Sequence, residues 1–116
     1  MYSRGRVDKP IGKRGFLCGA FLPENNPLYT KKVEVVWIKL DSKMSWERHF
    51  HKEVDEITIV IKGSLEEEIE GDVLKLKPGD FVLVKSGSVT HTKKAKDGTV
   101  LIVIKAPSIP TDKYLC

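Results

Sequence analysis

The chain has 116 residues, of which 31% are charged, and a formal net charge of +4. That length suits one domain with a single core and no need of staples. It holds two cysteines, Cys18 and the terminal Cys116, which argue against a disulfide framework and for a reducing, cytoplasmic setting. The N-terminal arm 1–14 is basic (Arg4, Arg6, Lys9, Lys13, Arg14) but leads into no apolar leader, and no stretch approaches the roughly 20 apolar residues of a membrane span. No nucleic-acid motif accompanies the basic clusters, so neither nucleic acid nor membrane is expected as a partner. The absence of Gln, with two Asn and many Lys and Glu, leans toward a thermophilic source.

Strand signals follow one another along the chain. Residues 15–22 are apolar and predict a first strand, closed by the turn-rich Pro23–Pro27 segment. Residues 32–40 alternate, with Val36, Ile38 and Leu40 on one face and Val33, Val35 and Trp37 on the other. A short strand carrying His49 and His51 comes next, then a strong strand at 56–61 ending at Gly63. Residues 64–70 and 73–77 flank Gly71-Asp72, read as a hairpin turn. Pro78-Gly79-Asp80 precedes a strand at 81–84, Ser86-Gly87-Ser88 precedes one at 89–94, and Lys96-Asp97-Gly98 turns the chain into 99–106. The tail 107–116 is expected to lie along the barrel or a partner. Many short strands with turns between them, and no gap that holds a crossover helix, predict an all-β sandwich or barrel with its core over 30–106. Several strands are apolar on both faces, as expected where a second subunit covers the outside.

The chain has three histidines. His49 and His51 are two apart, so a strand would project both imidazoles to one side. Glu56 opens the strong strand that could lie next to them, and His91 follows the glycine- and serine-rich turn. Imidazole and carboxylate together suit divalent first-row metals. Two exposed histidines on a polar face would show the same local pattern, so the pair by itself leaves both readings open.

Taken together these residues resemble the cupin superfamily. Its first motif runs HxH, four residues, Glu, six residues, Gly, and this chain reads His49-Phe-His51, 52–55, Glu56, 57–62, Gly63. Its second begins Pro-Gly-Asp and ends PxGxxH, and this chain has Pro78-Gly79-Asp80 and then Ser86-Gly87-Ser88-Val89-Thr90-His91. Ser86 and Ser88 stand for the usual Pro and Gly, Gly87 is shifted by one, Lys43 stands where Gly is frequent, and Ala95 where Asn sometimes occurs. The resemblance implies an all-β double-stranded β-helix (jelly-roll) barrel, often a homodimer. It also implies a divalent transition metal (Fe, Mn, Ni, Zn or Cu) on His49, His51, Glu56 and His91.

Cupins span many activities, so fold does not settle function. One expectation is a metal-dependent enzyme of dioxygenase or isomerase type acting on a small oxygenated substrate. Glu47 and Thr58 share the face of the histidine pair by parity, and Lys93 shares that of His91. The alternative is a non-catalytic small-molecule domain, sugar-like in its ligand. Trp37 could line such a pocket but is read first as core. The C-terminal segment from Val100 is similar to small cupins associated with polysaccharide biosynthesis. A third reading is a structural homo-oligomer fastened by its metal.

Overall fold

The computed structural model describes residues 1–9 and 15–116. Lys13 and Arg14 of the basic arm lie outside the described residues. Among these the chain forms ten strands: β1 Phe16–Cys18, β2 Glu34–Leu40, β3 His49–Phe50, β4 Asp55–Lys62, β5 Leu65–Ile69, β6 Asp72–Leu76, β7 Phe81–Val84, β8 Thr90–Ala95, β9 Thr99–Ala106 and β10 Tyr114–Leu115. They pair, all antiparallel, into two five-stranded sheets, β1-β2-β9-β4-β7 and β10-β3-β8-β5-β6. No helix among the described residues is long and apolar enough to cross a membrane.

The pleat decides what faces inward, because opposed residues on paired strands share a face. In the first sheet Ile38, Leu101 and Val60 form one cross-strand row, and Val36, Val103 and Thr58 the next. Glu34, Lys105 and Glu56 form the row beyond. The interior therefore grades from apolar to charged along the barrel. Its apolar end is the core of Leu40, Val60, Leu65, Leu76, Ala95 and Leu101. The charged end is the mouth.

Three sequence expectations need correction. The first strand is Phe16–Cys18 rather than 15–22, because the chain turns away from β2 at Gly19, whose φ is +145°. The hairpin turns on Glu70-Gly71, not Gly71-Asp72. Both residues have positive φ (51° and 86°), as a two-residue hairpin turn of this hand requires, and Ile69 pairs with Asp72. Finally, β3 is not the neighbour of β4. It lies in the second sheet between β8 and β10, so Glu56 meets the histidine pair across the barrel and not along a ladder. The tail does lie along the barrel, through β10. Cys18 and Cys116 are both free.

Gly63 closes β4 with φ +84°, and a Cβ there would run into the Thr99 hydroxyl and its backbone. Thr99 is fully buried, and its hydroxyl lies within hydrogen-bonding reach of the Lys96 and Ser64 carbonyls. Gly63→Ala is therefore expected to destabilise the fold by about 2 kcal/mol or more. Urea denaturation checks this, and an unchanged midpoint would show that the turn relaxes freely.

Candidate functional site

The mouth of the barrel holds a cavity of about 220 Å³ whose lining includes His49, Glu56, Thr58, Glu67, Thr92 and Lys105. β3 and β8 bring His49 opposite Thr90, β5 and β8 bring Glu67 opposite Thr92, and β4 supplies Glu56 and Thr58 from the facing sheet. Polar groups thus enter one small space from both sheets.

The two neighbouring histidines are held alike. His49 Nδ1 lies 2.9 Å from the Glu47 carbonyl, and His51 Nδ1 bonds the Asp112 carbonyl. With Nδ1–H donating to a carbonyl, each Nε2 is left with its lone pair free. The Nε2 of His51 is buried without a partner, and the two rings are 5.2 Å apart. Burial holds the His49 imidazole below its ordinary value, against the opposing effect of the Glu47 carbonyl.

The tail sets the position of His51. The Asp112 carboxylate accepts the backbone N–H groups of Lys52, Glu53 and Val54 at 2.9–3.0 Å, while its own carbonyl takes the His51 ring. Burial alone would raise the Asp112 carboxyl, but these three N–H groups outweigh it and hold it below the ordinary aspartate value. The stabilisation is complete above that ordinary value and is lost as pH falls through the depressed one. Asp112→Ala is expected to cost about 2–3 kcal/mol at neutral pH. The deficit should shrink in strong acid, as denaturation at several pH values would reveal.

Glu67 is a residue that sequence reading passed over. It sits in the run Glu66-Glu67-Glu68, which looks like a solvated face, but the pleat sends its middle member inward. Its carboxylate accepts the Thr92 hydroxyl at 2.8 Å. Burial pushes it up to about 7, the Glu56 charge adds to the rise, and the Thr92 bond opposes it. Between the ordinary glutamate range and pH 7 the folded chain thus binds more protons here than the unfolded chain, so stability falls as pH rises through that window. Glu67→Gln should flatten this slope, which in the parent amounts to about 3 kcal/mol. Denaturation midpoints from pH 4.5 to 8 test it, and parallel curves for the two proteins would remove Glu67 as the cause.

Glu56 lies 3.8 Å from the Lys105 ammonium, which also stands 3.7 Å from buried Glu34. The barrel so carries a cation of its own between two carboxylates. Lys113 joins the lining from the tail.

His91 does not join the others. It pairs with Glu68, whose carboxylate is bound on the outer face by Arg48 and Lys93 at 3.2 Å each. It lines an outer hollow with Arg48, Glu68 and Cys116, and its Nε2 lies 3.0 Å from the Trp46 carbonyl. Thr90 and Thr92, on either side of it, face the cavity. The one-residue shift of Gly87 was the signal. Counted from Gly87 as the turn glycine, Thr90 falls where the motif places histidine. Of the other candidates, Thr58 lines the cavity, Glu47 is exposed, Lys93 is exposed on the outer face, and Trp37 is half-buried on the outer face of the first sheet.

Among the described residues no three His, Cys, Asp or Glu side chains are grouped to hold an ion. The four expected ligands are thus divided. His49 and His51 are adjacent, Glu56 lines the cavity with His49 but lies beside Lys105, and His91 lines the outer hollow.

Residues 36–104 match the family described as Cupin domain, and the chain belongs to that family. An uncharacterized protein of Aquifex aeolicus (strain VF5) is 36% identical over 66 residues, 57% of this chain and 54% of that protein. The match thus spans about half the relative's length. Among solved structures, KdgF from Halomonas sp. is 25% identical with a TM-score of 0.65, covering 70% of this chain and 74% of its own. The DMSP lyase DddQ from Ruegeria pomeroyi DSS-3 is 22% identical with a TM-score of 0.66, covering 80% of this chain and 47% of its own, a likeness of fold. Cupins commonly bind metal, and enzymes occur among the similar folds.

Proposed function

We propose that the barrel interior is the site of an enzyme that moves protons on a small oxygenated molecule, with Glu67 as the acid–base group. The observation that carries this reading is a half-buried carboxyl inside the barrel cavity, hydrogen-bonded to Thr92 and facing Glu56 from the opposite sheet. A group that titrates near neutrality both gives and takes a proton at little cost, which is what isomerisation or elimination next to a carbonyl needs. Lys105 and Lys113 would hold a carboxylate or enolate oxygen, and Thr58 and Thr92 would bond hydroxyls. The apolar rows beneath close the cavity floor. The lyase among the similar folds agrees with this class of chemistry. A sugar-like ligand bound without turnover would use the same hydroxyl partners, but it gives no reason for an inward-facing acid.

A second reading is supported by the unpartnered Nε2 of His51. Metal-ligating histidines are oriented by a carbonyl on the other ring nitrogen, the arrangement that His49 and His51 share. These two would anchor a divalent transition metal, with Glu56 as third ligand once it turns from Lys105. Such an ion would polarise a substrate oxygen as a Lewis acid. Glu67 and Thr92 keep their roles in either case.

Two measurements test the proposal. Thermal-shift and turnover screens against small hydroxy and keto acids should yield a ligand that wild type converts. Glu67→Gln should bind it within a few-fold while losing roughly a hundredfold or more in turnover. Equal turnover by the variant would remove Glu67 from the chemistry. Elemental analysis should find up to one transition metal per chain, lost in His51→Ala and kept in His91→Ala. Metal lost in His91→Ala but kept in His51→Ala would reverse the assignment of ligands.

A further inference from the structure

The outer face of the second sheet uses its cations in two different ways. Near the mouth, Lys93 and Arg48 both hold Glu68, so that half of the face is neutralised. Toward the apolar end, two further cross-strand rows point outward. Lys75, Glu66 and Lys94 form one, in which Glu66 pairs with Lys94 at 3.5 Å. The register carried one residue further sets Ser64 between Lys77 and Lys96, and the Lys96 N–H donates to the Ser64 carbonyl at 3.1 Å. All four lysines are exposed. Among the described residues, Lys75, Lys77 and Lys96 have no ion-pair partner.

Between these rows run Leu76, Leu65 and Ala95, whose side chains are buried in the core, so their backbone forms a floor. The result is a hollow of about 500 Å³ with lysines on both walls. Strands about 4.8 Å apart, and rows two residues apart, make it about 10 Å long across the strands and about 7 Å wide.

We infer that this hollow is an anion site for a polyphosphate group, either a free inorganic chain or the tail of a nucleotide. Four lysines against the single Glu66 leave three positive charges unbalanced around one small space. Held apart by the sheet, these ammonium groups repel one another until a multiply charged anion lies between them. The groups offered from the two walls are ammonium donors and the Ser64 hydroxyl. A phosphate accepts hydrogen bonds from every side, whereas a carboxylate offers two oxygens in one plane. Planar carboxylates suit the fork of arginine, and no arginine lines the hollow. Lysine acts on phosphate as a compact point charge. The length of the groove suits a chain of phosphates over a single one. It lies on the outside of the second sheet, apart from the cavity in the barrel mouth, and owes nothing to the chemistry proposed there.

Isothermal titration of the full chain with sodium tripolyphosphate at low salt tests the inference. Wild type should bind one tripolyphosphate per chain. The double variant Lys77→Gln, Lys96→Gln should bind it roughly tenfold more weakly, or worse. Lys31→Gln, Lys32→Gln removes the same charge from exposed positions ahead of β2 and should change the affinity by less than about twofold. ATP bound as tightly as tripolyphosphate would assign the site to nucleotide tails, and tripolyphosphate bound alone would assign it to free chains. No saturable binding below about 1 mM, an equal loss in the two double variants, or citrate bound as tightly as tripolyphosphate would each overturn the proposal. A single-stranded DNA oligomer that displaces tripolyphosphate at lower concentration would overturn it in favour of a nucleic-acid face. If the double variant does not fold, lysine acetylation of wild type decides. Tripolyphosphate should protect Lys77 and Lys96 and leave Lys31 and Lys32 reactive, and unprotected Lys77 and Lys96 would remove the site.

Discussion

The strand pleat, with its period of two residues, is the constraint on which the rest of this protein depends. Each strand supplies one set of side chains to the barrel interior and the other set to the outside, with no intermediate choice. Along β9 this sends Leu101, Val103 and Lys105 inward and Ile102 and Ile104 outward. Along β8 it sends Thr90 and Thr92 inward and His91 outward. A shift of one residue is thus enough to move a metal-ligand candidate from the cavity to the outer face of its sheet.

The same constraint builds the chemistry. Stacking an apolar row, a mixed row and a charged row along one axis makes a closed end and a polar mouth without a separate lid. The cavity is small, and burial in it shifts two of the groups that line it, His49 downward and Glu67 upward. Glu67 is raised because burial costs its anion more than the Thr92 hydroxyl returns, and because Glu56 is close. Lys105, between Glu34 and Glu56, balances charge that the barrel would otherwise leave unpaired. The tail adds a second device. By binding three consecutive N–H groups with Asp112, it orders the segment after His51 and fixes the ring that precedes it.

The apolar outer face of the first sheet is written in the sequence as well. Strands buried on both sides read as nearly continuous apolar runs, and EITIVI and TVLIVIKA are such runs. The interior accounts for alternate residues of each. The remaining half, Ile57, Ile59, Ile102 and Ile104, lies on the outer face of the first sheet.

Much was determined by the sequence alone. Alternation in 32–40 and the β-branched apolar runs of 56–61 and 99–106 set the strands, and Pro78-Gly79-Asp80 and Lys96-Asp97-Gly98 set turns, because these depend on local backbone chemistry. The spacing of His49, His51, Glu56 and Gly63 identified the family for the same reason. Tertiary structure decided the rest. Local pattern could not tell that β3 pairs with β8 and β10 and not with β4, since strand partnership depends on packing across the whole chain. The shifted Gly87 carried a signal of the register, but only the pairing of β8 with β3 and β5 decided that Thr90, not His91, enters the cavity. The middle glutamate of an acidic run became the inward-facing acid for the same cause: a residue's side of a sheet is set by its strand's register with its neighbours, and that register exists only once the barrel has closed.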